Sequence, residues 1–301
     1  NQLFSLGYYD QQGLVKFSDF KRVSGRFNSE YKLFDDHFRI GENISLSHSW
    51  GTSVSNNAAL GGTLYEAYKF QSITPVKNLE DEYAGNVFSD IPNPMGKLYR
   101  NKDNQDKKSR LVGNLYAELH LFDGLMFKTS FGVDYNNLYR RSFSPKYDEL
   151  NASEKLSSLS NRNAWNFNWV FTNTLTYNKT FGDHTINALL GMESLRNRYE
   201  YFTASRDGFP SDDPNFLFLD AGDVGTQKNS GAATEYSMVS YFGKLDYNYH
   251  DRYLVAFTLR RDGSSRLGNN KWGNFPAASV GWRISNEPFF DVEAISNLKV
   301  R

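Results

Sequence analysis

Between Trp165 and Tyr177 apolar side chains recur at every second position: Trp165, Phe167, Trp169, Phe171, Leu175 and Tyr177, with only Asn173 breaking the row. The alternate positions hold Asn166, Asn168, Thr172, Thr174, Thr176 and Asn178. A period of two is that of a β-strand with one apolar and one polar face. Strands of soluble sandwiches alternate over roughly 5–6 residues, whereas this row holds for about thirteen. At ~3.3 Å per residue and a tilt of ~40°, the segment rises about 30 Å, enough to cross the ~25 Å apolar band of an outer-membrane barrel. Trp165 and Tyr177 fall where the aromatic girdles of such a barrel lie, and Phe167, Trp169 and Phe171 fall between them, facing lipid.

The same reading recurs along the chain. Segment 125–139 sets Leu125, Phe127, Phe131, Val133 and Tyr135 against Lys128, Ser130, Asp134 and Asn136. Segment 38–50 sets Phe38, Ile40, Ile44, Leu46 and Trp50 against Arg39, Asn43, Ser45, Ser47 and Ser49. Segment 237–249 sets Val239, Tyr241, Leu245, Tyr247 and Tyr249 against Ser240, Lys244, Asp246 and Asn248. Further strands are expected over 2–9, 21–33, 110–121, 185–199, 252–261 and 273–285, about ten spanning strands in all. Phe127, Phe131 and Tyr135 join the lipid-facing set. Glu42 is the exception, a carboxylate on the face that should meet lipid. A bulge, a subunit contact or a different register would each account for it.

Connections are expected to alternate between two kinds. Short polar turns lie at Phe34–His37, Phe122–Gly124, Phe181–His184 and Tyr249–Arg252. Long connections cover about 10–20, 51–109, 140–163, 200–235 and 262–272. Barrels of the outer membrane have short turns on one side and long loops on the other, and a soluble sandwich has no reason to sort loop length by parity. Composition agrees. No stretch approaches the ~20 apolar residues of a membrane helix, while 16% of residues are aromatic and cysteine is absent. Lys plus Arg and Asp plus Glu both number 34, which leaves no basic excess for a nucleic-acid partner. The chain starts, at Asn1-Gln2-Leu3, and stops, at Asn297–Arg301, inside strand-like patterns, so an internal piece of a longer polypeptide is expected.

Signals for catalysis are missing. His37, His48, His120, His184 and His250 show no zinc spacing, and neither a nucleophile elbow nor a phosphate loop occurs. Paired carboxylates need no local motif, so a hydrolase built from loop carboxylates stays open as an alternative. The clusters Glu80–Glu82, Asp212–Asp213 and Asp220–Asp223 match no calcium loop. They read as solvated charge, or as a place for an adventitious divalent cation; no cofactor or structural metal is expected. Arg260, Arg261, Asp262 and Arg266 could clamp an anion or pair with one another and with neighbouring strands. The long segment 51–109 is the expected recognition element. Its Tyr65, Tyr68, Phe70, Tyr83 and Tyr99, together with Phe88, could stack on sugar rings or pack the loop onto its neighbours.

The stretch Ser240-Tyr241-Phe242-Gly243-Lys244-Leu245-Asp246-Tyr247 leads to Asp251-Arg252-Tyr253-Leu254 and Leu259-Arg260-Arg261-Asp262-Gly263-Ser264-Ser265-Arg266. Trp272-Gly273-Asn274-Phe275-Pro276 and Gly281-Trp282-Arg283-Ile284-Ser285 follow. This series resembles the barrel signature of the SusC/RagA family of TonB-dependent outer-membrane transporters. Gly7–Gly13, Phe20–Arg22, Gly113–Glu118 and Gly208–Asp213 extend it in family order. Arg260, Arg261, Asp262, Gly263, Trp272, Gly273, Phe275 and Pro276 are the residues that carry it most clearly.

The resemblance implies an all-β fold, a transmembrane antiparallel up-and-down barrel of about 22 strands, of which residues 1–301 would supply the middle portion. A plug and a TonB-binding segment would lie outside this chain. It further implies active import of a nutrient, oligosaccharide first and peptide next, across the outer membrane of a Gram-negative, Bacteroidetes-like cell. A SusD-like surface lipoprotein, TonB and a dimer of transporter–lipoprotein pairs would be the partners. The alternatives are a passive pore or adhesin barrel and, third, a loop-based glycan hydrolase; the transporter reading assigns no enzyme activity.

Overall fold

The computed structural model describes residues 1–54, 61–292 and 295–301. Ten long strands form its frame: β1 (Gln2–Gln12), β2 (Asp19–Leu33), β3 (Phe38–Gly51), β4 (Gln105–Phe122), β5 (Leu125–Ser144), β8 (Ser158–Phe181), β9 (His184–Asp207), β10 (Lys228–Tyr249), β11 (Tyr253–Ser264) and β12 (Trp272–Arg283). A small hairpin, β6 (Tyr147–Glu149) with β7 (Ala152–Glu154), stands between β5 and β8, and β13 (Lys299–Val300) follows β12. Two helices, α1 (Thr63–Lys69) and α2 (Pro94–Arg100), lie between β3 and β4. The large sheet has eleven strands in chain order, from β1 to β13 with only the hairpin left out, and every neighbour pair is antiparallel.

Register turns the alternation of each strand into two continuous faces. The row Gly25, Leu46, Leu111, Tyr135, Phe167 runs across five strands, and the row Phe27, Ile44, Gly113, Val133, Trp169 runs beside it. Phe131 and Phe171 share a third row with Leu115. Phe127 sits opposite Leu175, and Leu125 opposite Tyr177. The other face is polar, as in the row Arg26, Ser45, Val112, Asp134, Asn168, Asn197, Tyr236.

On the apolar face the boundary with polar residues runs obliquely to these rows. In β3 the apolar run reaches Trp50, beyond Leu46 in the row of Tyr135, whereas in β9 that row is already at Arg198 and the apolar run has ended at Met192. A level boundary crossed by tilted strands has this form.

The strands are longer than the apolar periodicity indicates. Strands β8 and β9 have 24 residues each and β10 has 22. The long connections therefore shrink to 13–18, 52–104, 145–157, 208–227 and 265–271, and much of 140–163 and 200–235 is paired strand. Beyond the apolar stretch both faces are polar, so alternation disappears while the hydrogen-bonded ladder continues. Strict alternation of connection length also fails once. The connection from β12 to β13 is on the short-turn side yet is longer than 13–18 or 265–271, and it begins with a 3-10 turn, Ile284–Asn286.

The short turns are built from left-handed residues. Phe34, Asp35 and Asp36 have φ of 53°, 52° and 70°, and His250 and Asp251 have 53° and 54°. Arg39 and then Lys32 bond the Asp36 carboxyl and hold it well below the usual carboxylate range. At Glu42 the pairing is regular, and among the strand pairs the irregularity lies between His120 and Phe122. Glu42 thus does belong to the apolar face, where the Ser29 hydroxyl donates to its carboxylate. Neither a bulge nor a shifted register explains it.

Two turn glycines separate backbone strain from crowding. Gly124 has φ 88° and a Cβ there would stand 2.5 Å from the Asn178 carbonyl oxygen, while Gly182 has φ 56° and open space around it. Gly182→Ala is expected to cost about 1–2 kcal/mol, the left-handed penalty alone. Gly124→Ala should cost clearly more, because the backbone must also move. Thermal unfolding midpoints of the two purified variants check the order; equal shifts would contradict the crowding argument.

Candidate solute-facing site

The two faces of the sheet leave little interior, so the buried residues gather at the long-connection end. Phe143 from β5 and Leu159 from β8 pack with Phe209 and Leu217 of the segment 208–227, and the Phe143 and Phe209 rings meet edge-on at 5.9 Å. Ser157 ties the same segment down, accepting from the Phe209 amide at 2.8 Å.

The segment 61–104 is held chiefly by polar groups. Asn93 precedes Pro94 at the start of α2, and its side-chain oxygen accepts from the Met95 and Gly96 amides at 3.1 and 3.3 Å. Its side-chain nitrogen donates to the Val76 and Ala84 carbonyls. Its own amide donates to Glu149 at 2.6 Å, and the other Glu149 oxygen takes Arg100 at 2.5 Å. Asn93 and Glu149 are 1% and 3% exposed, so each polar atom needs these partners. Arg100 also lies 3.8 Å over the Tyr147 ring, and burial pushes the Tyr147 hydroxyl pKa up, with Arg100 opposing. Lys97 joins α2 to α1 through Glu66 at 2.7 Å.

Against this frame the five aromatic candidates separate. Tyr83 and Tyr99 come together, rings 5.9 Å apart, with Phe17 against Tyr99 at 6.0 Å. Lys77 and Lys102 lie over the Tyr83 and Tyr99 rings at 4.1 and 5.4 Å. Both tyrosines line a cleft of 380 Å³ shared with Arg100, Lys146, Tyr147 and Asp212. Tyr65, Tyr68 and Phe70 are elsewhere. Tyr65 lies under Lys69, Tyr68 is 89% exposed, and Phe70 closes α1 by donating its amide to the Glu66 carbonyl. A second cavity of 540 Å³ is lined by Lys16, Thr52, Lys97, Asn104, Asp106 and Arg140 among others. Sequence reading missed Phe17, Arg100, Tyr147 and Glu149. The Asn93-Pro94 pair, a helix-start signal that sequence reading passed over, is the local motif that could have marked this frame.

Several of the carboxylates that stand in clusters in the sequence are engaged locally. Asp213 and Asp223 accept from the Asn215 and Gly225 amides, and Asp220 pairs with Arg206 at 3.1 Å. Among the described residues no three side chains of metal-binding type converge. Arg260 and Arg261 point to opposite faces: Arg260 bonds Asp262 at 2.8 Å and Ser240 at 3.0 Å, while Arg261 lies 4.9 Å over Trp272. They do not converge on one anion. Gly263 leaves room for the Trp272 ring, and the Phe275 ring leans over Gly273. Pro276 sits opposite Leu259 on the apolar face.

On the polar face three pairs of opposite charge bridge neighbouring strands, Lys128 with Glu118 at 2.8 Å, Arg110 with Asp134 at 2.8 Å, and Arg140 with Asp106 at 2.6 Å, while Arg22, Arg26 and Lys108 on the same face have no carboxylate at ion-pairing distance among the described residues. Such a wall presents many hydrogen-bonding groups beside its charges.

In class the chain is a stretch of transmembrane, antiparallel, up-and-down β-barrel wall. Its backbone superposes on the RagAB peptide transporter with a TM-score of 0.78 at 22% identity, over 99% of this chain and 34% of that one. The ferripyoverdine receptor of Pseudomonas aeruginosa superposes with a TM-score of 0.57 at 12% identity, over 93% of this chain and 36% of that one. In sequence it is 31% identical over 303 residues to TonB-dependent receptor P3 of Formosa agariphila, covering 98% of this chain and 30% of the relative. It is 28% identical over 330 residues to TonB-dependent receptor SusC of Bacteroides thetaiotaomicron, covering 99% and 31%. No family model matches the chain. It belongs with the TonB-dependent receptors that include SusC, and it spans about a third of the length of those it matches.

Breaking the buried Arg100–Glu149 pair should release the segment 61–104 without unfolding the barrel strands. Glu149→Ala leaves Arg100 and the Asn93 amide without a partner, a cost of about 3–5 kcal/mol for a buried pair. Trypsin is expected to cut at Lys77 or Lys97 in this variant at least tenfold faster than in the parent, with the sheet's melting unchanged. Unaltered cleavage would mean that other contacts hold the segment.

Proposed function

We propose that this chain is the middle part of the barrel wall of an importer energised through TonB in the outer membrane. The apolar face meets lipid, with Trp165 and Tyr177 at its two edges and Phe127, Phe131, Tyr135, Phe167, Trp169 and Phe171 between. The polar face lines the path. The single observation that carries the reading is the continuous separation of two faces over ten long strands, with the elaborated, polar-anchored connections gathered at one end. Long connections face outward in such barrels, so that end receives solute.

The solute class follows from the wall and the cleft. The polar face carries many hydrogen-bonding groups, several of its charges paired across strands, which suits a strongly hydrogen-bonding cargo. Tyr83 and Tyr99 present neighbouring rings, tilted 44° to one another, with polar tips, which favours oligosaccharide. Peptide is the second choice, supported by the RagAB likeness. A SusD-like lipoprotein covering the outer end, a dimer of such pairs, and a plug and TonB-binding segment elsewhere in the protein complete the proposal. Energy coupling belongs to those parts, while this wall supplies passage and part of the recognition surface.

Two variants of the full-length protein test separate parts of this. Phe171→Asp places a charge in the lipid-facing row and is expected to abolish membrane assembly, read as loss of the heat-modifiable band in outer-membrane fractions. Tyr83→Ala with Tyr99→Ala should assemble normally but lower oligosaccharide uptake at least fivefold. Normal insertion of Phe171→Asp removes the lipid-facing assignment, and normal uptake by the double variant removes the two tyrosines from recognition.

A further inference from the structure

On the apolar face one row of register partners runs Asp10, Lys21, Trp50, Lys107, Tyr139 across β1 to β5. It lies just beyond Val23, Leu111 and Tyr135, at the long-connection end of these strands. Trp50 stands between the two lysines. Lys107 is exposed, and its register partners are the uncharged Trp50 and Tyr139. Lys21 has Asp10 at 3.7 Å. The His48 ring lies 5.5 Å from Trp50, and its Nδ1 is 2.9 Å from the Ser109 hydroxyl. At the opposite end of β2, β3 and β4 the same face carries Leu33, Phe38 and Leu119, so on this face of these three strands the lysines are confined to one end.

An open groove of 530 Å³ adjoins the row, lined by Val23, Gly25, Leu46, His48, Leu111 and Tyr135 among others. Gly25 makes the depression, since it occupies a position in the apolar row where its neighbours Leu46, Leu111 and Tyr135 have side chains. Apolar walls below, a tryptophan face and two cations above form a graded surface from hydrocarbon to anion.

We infer that this surface binds a phosphorylated, acylated sugar lipid of the outer leaflet. The acyl chain lies in the groove, the sugar ring rests on Trp50, and the phosphate sits between Lys21 and Lys107. Strands are ~4.8 Å apart, so lysines two strands apart stand about 10 Å apart at the backbone. Their stems follow the apolar surface and bring the ammonium groups outward to one anion. His48 and Ser109 add hydrogen-bonding groups beside the sugar. A zwitterionic phospholipid carries its own cation next to its phosphate and makes poorer use of two lysines. The inference rests on the proposal that this face meets lipid.

The test uses the full-length protein extracted from outer membranes in mild detergent, delipidated, and mixed with monophosphorylated lipid A, its dephosphorylated form or phosphatidylethanolamine. Native mass spectrometry reads the lipid retained. The parent should keep the phosphorylated glycolipid and lose the other two. Lys21→Gln with Lys107→Gln should lower retention about thirtyfold, as expected for two interfacial cations, and Gly25→Leu should lower it by filling the groove. Lys179→Gln, on the same face near the short-turn end, should retain it. Heat-modifiable migration confirms that each variant is folded. Equal retention by the parent and both groove variants would overturn the site, as would equal retention of all three lipids. A second copy of the protein bound in place of lipid would also overturn it. Failure of the lipid-facing reading itself gives a different signal, normal insertion of Phe171→Asp.

Discussion

Within hydrocarbon no water is available to an unpaired amide, so every backbone N–H and C=O of a spanning strand must find a partner on its neighbours. For the strands with a neighbour on each side, β2 to β11, the ladder meets that demand and fixes everything else. Once the register is set, each residue is assigned to one of two faces, and a slip of one position would exchange Phe131 for Ser130 or Phe171 for Thr172 on the apolar side. Side chains do not choose the fold by packing into a core, because there is hardly one to pack into. They choose it by making only one register tolerable to both environments.

That dependence explains what could be read in advance. Where both environments act, as along 165–177, 125–139, 38–50 and 237–249, the period of two is written in the residues and the strands fall where it places them. Turns were legible for a different reason: Asp123-Gly124, Gly182-Asp183 and His250-Asp251 are residue types that accept left-handed backbone. The extensions of β8, β9 and β10 were not legible. There both faces are polar, alternation carries no contrast, and only the hydrogen-bonded ladder defines the strand. The site was half legible for a similar reason. Aromatic residues in 51–109 stand out by type, but that Tyr83 and Tyr99 meet while Tyr65 and Tyr68 do not depends on Glu149, contributed by a distant hairpin.

The connections obey other rules than the wall. Their hydrophobic cluster is four residues, Phe143, Leu159, Phe209 and Leu217, and 61–104 is ordered instead by directional bonds from Asn93, Glu149, Arg100 and Lys97. A polar network of this kind is unforgiving of a lost partner. It fixes backbone geometry while leaving aromatic rings such as Tyr83 and Tyr99 at the surface, where a hydrophobic core would have drawn them in. Recognition surface and structural order are thereby assigned to different side chains.

Glu42 shows how far the wall's rule can be stretched. Its charge lies on the apolar face, yet it sits close to the short-turn end of β3, four residues beyond Phe38, and Ser29 across the ladder bonds its carboxylate. Charge on this face costs most at the centre of the bilayer and little near its edge, so position and partner together make the residue tolerable. The row of Lys21, Trp50 and Lys107 lies towards the other edge of the same strands, where the cost is again small. Polar side chains on this face of β2–β4 therefore gather at the long-connection end, with Ser29 and Glu42 as a bonded pair inside the apolar stretch, and the rows between, from Phe27 and Ile44 to Gly25 and Leu46, are left to apolar residues and glycine. The face is thus specified by depth as well as by parity: the ladder decides which way a side chain points, and distance from the edge decides how much polarity that direction allows.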